Sequence, residues 1–172
     1  MRCYILGLGN VLMGDDGFGP AVARAFDAAY DLDGDAEVVD LGTPGLDLMP
    51  WFFDAEQLVI VDTVKSDAAP GTLRVYNKAD ILKHLPSVRV GPHDPGVKEA
   101  LLTLEFAGRG PSEVVLVGVV PGSVGMSTEL SAPVAKAVSG AVALLVDALT
   151  HLGHTVRRRS APEGARPWWS AR

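Results

Sequence analysis

The sequence predicts an α/β fold: a three-layer sandwich with a mostly parallel, twisted central sheet of about five strands flanked by helices. Three observations carry this. A short apolar run, Cys3-Tyr4-Ile5-Leu6, leads into a glycine-rich loop and then an Ala-rich helical segment, the order of a first β-α unit. Two later apolar runs, Leu58–Val61 and Val114–Val120, are continuous rather than alternating, as expected of parallel strands covered on both faces. Strand-like and helix-like stretches alternate along the chain.

Each element has a local reason. Residues 2–6 form the first strand. Pro20 suits the first position of a helix, which runs to about Tyr30 with Ala21, Val22, Ala25 and Phe26 on one face. Asp31–Asp35 is a polar turn and Glu37–Leu41 a second strand. Gly42-Thr43-Pro44-Gly45 turns the chain into a helix over Leu46–Asp54, despite Pro50. Leu58–Val61 follows as a buried strand that ends in Asp62-Thr63. Residues 65–71 turn, and Thr72–Tyr76 alternates like an edge strand. A short helix or turn is expected over 78–85, a loop over Ser87–Gly96, and a helix over Val97–Phe106. Val114–Val120 is the last strand of the sheet. After the small-residue loop Pro121–Thr128, Ser131 caps a long helix to about Leu152, with Pro133 early in it.

A chain of 172 residues with 48% hydrophobic content reads as one domain, spanning 1–155. Residues 156–172 read as a basic, disordered tail. From Val156 onward the charge is +4, so the rest carries −10 of the net −6. An acidic body argues against nucleic acid as the main partner. It suits metal ions or basic protein segments. Cys3 is the single cysteine, which excludes an intrachain disulfide and fits a reducing compartment. It sits inside an expected buried strand with no adjacent base, a poor setting for a nucleophile. The N-terminus lacks the pattern of a secretory signal, and no uninterrupted apolar segment reaches membrane-spanning length. A soluble cytoplasmic protein without a membrane partner is expected.

The loop Leu6–Pro20 holds Gly7, Gly9, Gly14, Gly17 and Gly19, with Asp15 and Asp16 adjacent. A dinucleotide fingerprint fits it poorly: Leu12 stands where the third glycine belongs, and the two aspartates would repel a pyrophosphate. A cation suits the loop better. The plainer reading is that at least one aspartate caps the following helix. Asp62 ends the third strand, and His93 sits in the loop Gly91-Pro92-His93-Asp94-Pro95-Gly96 before a helix. The ends of strands one and three of a doubly wound sheet can be neighbours, so Asp16, Asp62 and His93 can meet in one crevice. Two carboxylates and an imidazole suit a divalent transition metal with open positions; nickel and zinc both accept such ligands. Each residue also has a plainer role: Asp16 as a cap, Asp62 bonding the next turn, His93 exposed on a loop. No nucleophile elbow is present. His84, His151 and His154 offer less, the last two because they end a helix, where a cation complements the dipole.

The motifs Gly7-x-Gly9-Asn10-x-Leu12-x-x-Asp15-Asp16-Gly17-x-Gly19, Gly42-Thr43-x-Gly45, Val61-Asp62, Pro92-His93, Gly118-Val119-Val120-Pro121 and Leu130-Ser131 occur in this order. With them the chain resembles the nickel–iron hydrogenase maturation proteases, from Met1 to the end of the last helix. The resemblance implies an endopeptidase that removes the C-terminal extension of a hydrogenase large-subunit precursor. It implies that Asp16, Asp62 and His93 contact nickel carried by that substrate, in both catalytic and metal-binding roles. A zinc or cadmium ion would suit the same ligands in a crystal. It also implies a monomer. Two departures stand out: many members have glutamate where Asp16 stands, and glycine where Glu129 stands. A non-catalytic module that docks on the precursor and checks its nickel is the alternative, and a nucleotide-binding α/β enzyme ranks third.

Overall fold

The computed structural model describes residues 2–42, 48–84 and 96–160. Five strands form the central sheet. They are β1 (Cys3–Leu8), β3 (Ala36–Gly42), β4 (Gln57–Thr63), β5 (Leu73–Asn77) and β6 (Glu113–Val119), in the order β3-β1-β4-β6-β5. β1 runs parallel to β3 and β4, and β4 parallel to β6; only the edge strand β5 is antiparallel. Between β1 and β3 lie helix α1 (Phe18–Ala29) and a three-residue strand β2 (Tyr30–Leu32). The remaining helices are α2 (Met49–Asp54), α3 (Lys78–His84), α4 (Val97–Phe106) and α5 (Ala132–His151). The expected three-layer sandwich is present.

Strand alternation sorts the core into two layers. Cys3, Ile5, Val59, Val61, Val117 and Val119 face α1 and α5, where Phe18, Phe26, Leu145 and Leu149 are buried. Tyr4, Leu6, Leu58, Ile60 and Leu116 face the other way, onto Phe52 of α2, Ile81 of α3 and Leu101 and Leu104 of α4. The continuous apolar runs are thus strands with helices on both sides. All seven residues of β4 are buried.

Several expectations need correction. The first helix begins at Phe18, not Pro20, because a 3-10 turn over Gly14–Gly17 feeds straight into it. Pro20 still falls in the first turn, where its missing N–H leaves no hydrogen bond unmade. The polar stretch 31–35 is not all turn. Its start belongs to β2, which pairs antiparallel with β7 (Val156–Arg158). Residues 156–158 are therefore strand rather than the start of a tail; residues 161–172 lie outside the described residues. α5 is long and apolar enough to cross a membrane by length and composition, although Lys136 and Asp147 interrupt its apolar run, as the sequence reading requires. It is a core helix: Val134, Ala137, Ala141, Leu145 and Leu149 are buried against α1 and the sheet.

The order of connections sets where a site can lie. β1 leads into α1 on one face, whereas the chain after β4 returns through α3 and α4 on the other. The C-terminal ends of β1 and β4 therefore flank a topological switch point, the crevice where open α/β sheets bind ligands. Its floor is closed by backbone. A Cβ on Gly19 would come within 2.1 Å of the Leu8 carbonyl oxygen and 2.5 Å of the Val61 carbonyl oxygen. The start of α1 rests directly on the ends of both strands, and no larger residue fits. Alanine in a helix normally stabilises relative to glycine by about 1 kcal/mol. Here Gly19→Ala should reverse that sign and cost about 2 kcal/mol or more, as measured by chemical denaturation.

Candidate functional site

β1 ends at Leu8, and Gly9 turns the chain with φ +131°, a conformation that side chains avoid. A Cβ there would also lie 1.8 Å from the Asp16 carbonyl oxygen. The loop then folds back on itself. The Leu12 N–H donates to Asn10 Oδ1 at 2.9 Å, and the Met13 N–H to the Asn10 carbonyl at 3.0 Å. The Asn10 N–H in turn donates to Asp16 Oδ2 at 2.7 Å. This places Asp15 and Asp16 in the 3-10 turn with no exposed surface at all.

Neither aspartate caps a helix through its side chain, at the 3-10 turn or at α1. Asp15 reaches instead across to the loop before α5. Its carboxylate accepts from the Gly122, Ser123 and Ser131 backbone N–H groups at 2.7, 2.8 and 2.6 Å, and from the Ser131 hydroxyl at 2.8 Å. Burial alone would raise its pKa. The donors from Ser123, Ser131 and Gly122 outweigh burial and hold it below the ordinary carboxylate value. Ser131 sits at the N-cap of α5 as expected, but its hydroxyl serves Asp15 rather than the helix. Backbone bonds complete the seam: Asp15 N–H to the Ser123 carbonyl and Gly14 N–H to the Ser127 carbonyl, both 2.8 Å. Sequence reading singled out Asp16 and missed this role of Asp15. The only available signal was the pair of adjacent acids in a loop that needs one.

Asp62 lies one residue beyond the Gly7–Val61 pairing of β1 with β4. Strand parity puts it on the side of Leu58 and Ile60, the face of α2, α3 and α4. It is buried, and its Oδ1 accepts from the Thr63 N–H at 2.7 Å. Burial, with a further contribution from the Asp16 charge, pushes its pKa up to about 8 against the pull of the Thr63 bond. Asp16 and Asp62 are thus both buried and near enough to interact electrostatically. His93 lies outside the described residues, which resume at Gly96, where α4 begins on Asp62's side of the sheet. Among the described residues no three His, Cys, Asp or Glu side chains group as metal ligands. Cys3 is buried, and burial raises its thiol to about 11, so it stays protonated at neutral pH.

The comparisons with known proteins agree with this geometry. The sequence profile of the hydrogenase maturation proteases matches residues 20–148, three quarters of the chain. The chain belongs to the hydrogenase maturation protease family. The hydrogenase expression/formation protein HupD of Rhizobium leguminosarum bv. viciae is 32% identical over 95% of this chain and 81% of that protein. The hydrogenase 2 maturation protease of Escherichia coli K12 is 31% identical, over 84% of this chain and 91% of its own length. The solved structure of the E. coli hydrogenase maturating endopeptidase HybD superposes with a TM-score of 0.84 at 30% identity, covering 93% of this chain and 99% of that one. As a member of this family the chain is a protease, a hydrolase of peptide bonds. The profile match includes Asp62 and begins just after Asp16.

Two outcomes follow for the isolated protein. Asp15→Asn puts an amide where four donors need a charged acceptor, and should lower unfolding free energy by about 2–4 kcal/mol in denaturant titrations. Asp62 acts in the opposite sense. Its folded pKa of about 8 exceeds the unfolded value near 3.8, so the native state holds the extra proton between those pH values. Its stabilising contribution is complete below about pH 4 and is lost as pH rises towards 8, by at most about 1.4 kcal/mol per pH unit. Asp62→Asn should remove that slope, seen as a widening stability advantage over wild type as pH rises in thermal melts.

Proposed function

We propose that this protease is an endopeptidase that cleaves the C-terminal extension from the nickel-loaded precursor of a nickel–iron hydrogenase large subunit. Asp16, Asp62 and His93 contact the nickel, which arrives with the substrate and marks it as ready for cutting. The observation that carries the reading is the pairing of two buried carboxylates at the switch point of this family's fold. Buried like charges cost heavily unless a proton or a cation offsets them. Asp62 answers with a proton in the isolated protein. A substrate-borne divalent ion is the partner that lets both acids ionise, and its binding displaces that proton.

On this reading the chain's own groups divide the work. The Asn10 N–H holds one oxygen of Asp16 in place. The Thr63 N–H does the same for Asp62. The Asp15 seam keeps the loop that carries Asp16 from shifting. With no thiol or serine arranged as a nucleophile among the described residues, water is the attacking group, and a carboxylate freed of its proton is the nearest base. The protein works as a monomer in the cytoplasm, where the precursor is assembled.

The test is cleavage of nickel-loaded precursor, followed by mass spectrometry. Asp62→Ala and His93→Ala should each slow cleavage at least about a hundredfold, while thermal melting shows that both variants still fold. Wild-type rates in both would end the proposal. Binding of the loaded precursor without any cleavage by the wild-type protein would favour a docking and checking role instead.

A further inference from the structure

The two loops sealed together by Asp15 leave three large apolar side chains in the open. Leu12 is 54% exposed, Val124 48% and Met126 93%. Their backbones run side by side. The Ser127 N–H donates to the Leu12 carbonyl at 3.0 Å, and Met13 and Ser127 form an isolated bridge. The Ser123 N–H is held by Asp15 next to Val124. These side chains are thus displayed by pinned backbone. A surface ordered in advance loses less entropy when it binds, and so binds more tightly for its area.

The patch is continuous with the acid pair. Leu12 is bonded to Asn10, and Asn10 to Asp16. On the far side, Val120 and Pro121 of the same loop form a wall of an open groove of about 490 Å³, completed by Lys65, Ser66 and Asp67 just beyond the end of β4. The rim therefore adjoins the loop that carries Asp16, within reach of a chain bound there. A second copy of the protein is a poor occupant, because a chain of net charge −6 repels itself.

We infer that Leu12, Val124 and Met126 form the docking rim for the polypeptide this protease cuts, gripping an apolar stretch of the precursor beside the cleaved bond. The inference rests on the acid pair being the place of cleavage. A second exposed apolar group supplies the control. Phe106, 93% exposed, ends α4 close to the Arg109–Phe53 stack, at the opposite end of the sheet.

The experiment measures KM and kcat on nickel-loaded large-subunit precursor for wild type, the triple variant Leu12→Ser/Val124→Ser/Met126→Ser, and Phe106→Ser. The triple variant should raise KM about tenfold or more with kcat little changed, and Phe106→Ser should match wild type. Met126→Ser alone, at a side chain almost wholly in solvent, should raise KM in the same direction and by less. In an Asp62→Ala background, where cutting is blocked, the triple change should weaken precursor binding by a similar factor in interferometry. An unchanged KM and unchanged binding would overturn the inference. So would a concentration-dependent dimer in sedimentation that the triple change abolishes, since the rim would then belong to a second copy. The two readings fail separately. If Asp16 and Asp62 variants cut normally, the acid pair is not the site; if they do not cut and the rim variants bind normally, only the rim is wrong.

Discussion

A carboxylate with no exposed surface must find its donors inside the protein, and Asp15 finds four. All come from one loop more than a hundred residues further along the chain. That single requirement ties the glycine-rich loop after β1 to the segment before α5. The N-cap side chain of α5 is diverted in the process, and the helix starts without a side-chain cap of its own. The crevice gains a rigid floor in exchange. Gly19 closes that floor from below, pressed against the carbonyls of Leu8 and Val61.

The same small region holds two acids in opposite electrostatic states. Asp15 is surrounded by N–H and O–H donors and is kept ionised. Asp62, one element away, has a single donor among the described residues and an acidic neighbour, and burial drives it towards the protonated form. Environments that push neighbouring carboxylates apart in this way separate structural from chemical roles. Asp15 has spent its oxygens on the loop. Asp62, with its pKa raised to about 8, keeps a proton to give up near neutral pH.

Much of the fold was legible because it depends on local pattern. The unbroken runs Leu58–Val61 and Val114–Val120 mark doubly covered strands, and Val97–Phe106 is a helix with the predicted limits. What was illegible depends on distant partners. β2 and β7 are three residues each and lie some 125 residues apart, so neither carries a pattern of its own. Ser131 reads as a helix cap, and only its proximity to Asp15 shows otherwise. That Asp16 and Asp62 follow adjacent strands was legible through topology, since the ends of β1 and β4 are neighbours whatever their sequence. The third predicted site residue, His93, lies outside the described residues.

The proton on Asp62 links the geometry to the proposed chemistry. A pair of buried aspartates that stayed fully ionised would strain the fold whenever the substrate was absent. A pair permanently neutralised by a resident lysine or arginine could not respond to an arriving ion. Among the described residues no such cation bonds to Asp62, whose one hydrogen bond comes from the Thr63 backbone. On the proposed reading, protonation is the resting state of Asp62, reversible when a stronger positive charge enters. On that reading, a protease built this way would not need to hold a metal between substrates. Its acids, on the same reading, would become competent ligands, and one of them a base, only when the molecule to be cut supplies the charge that displaces the proton.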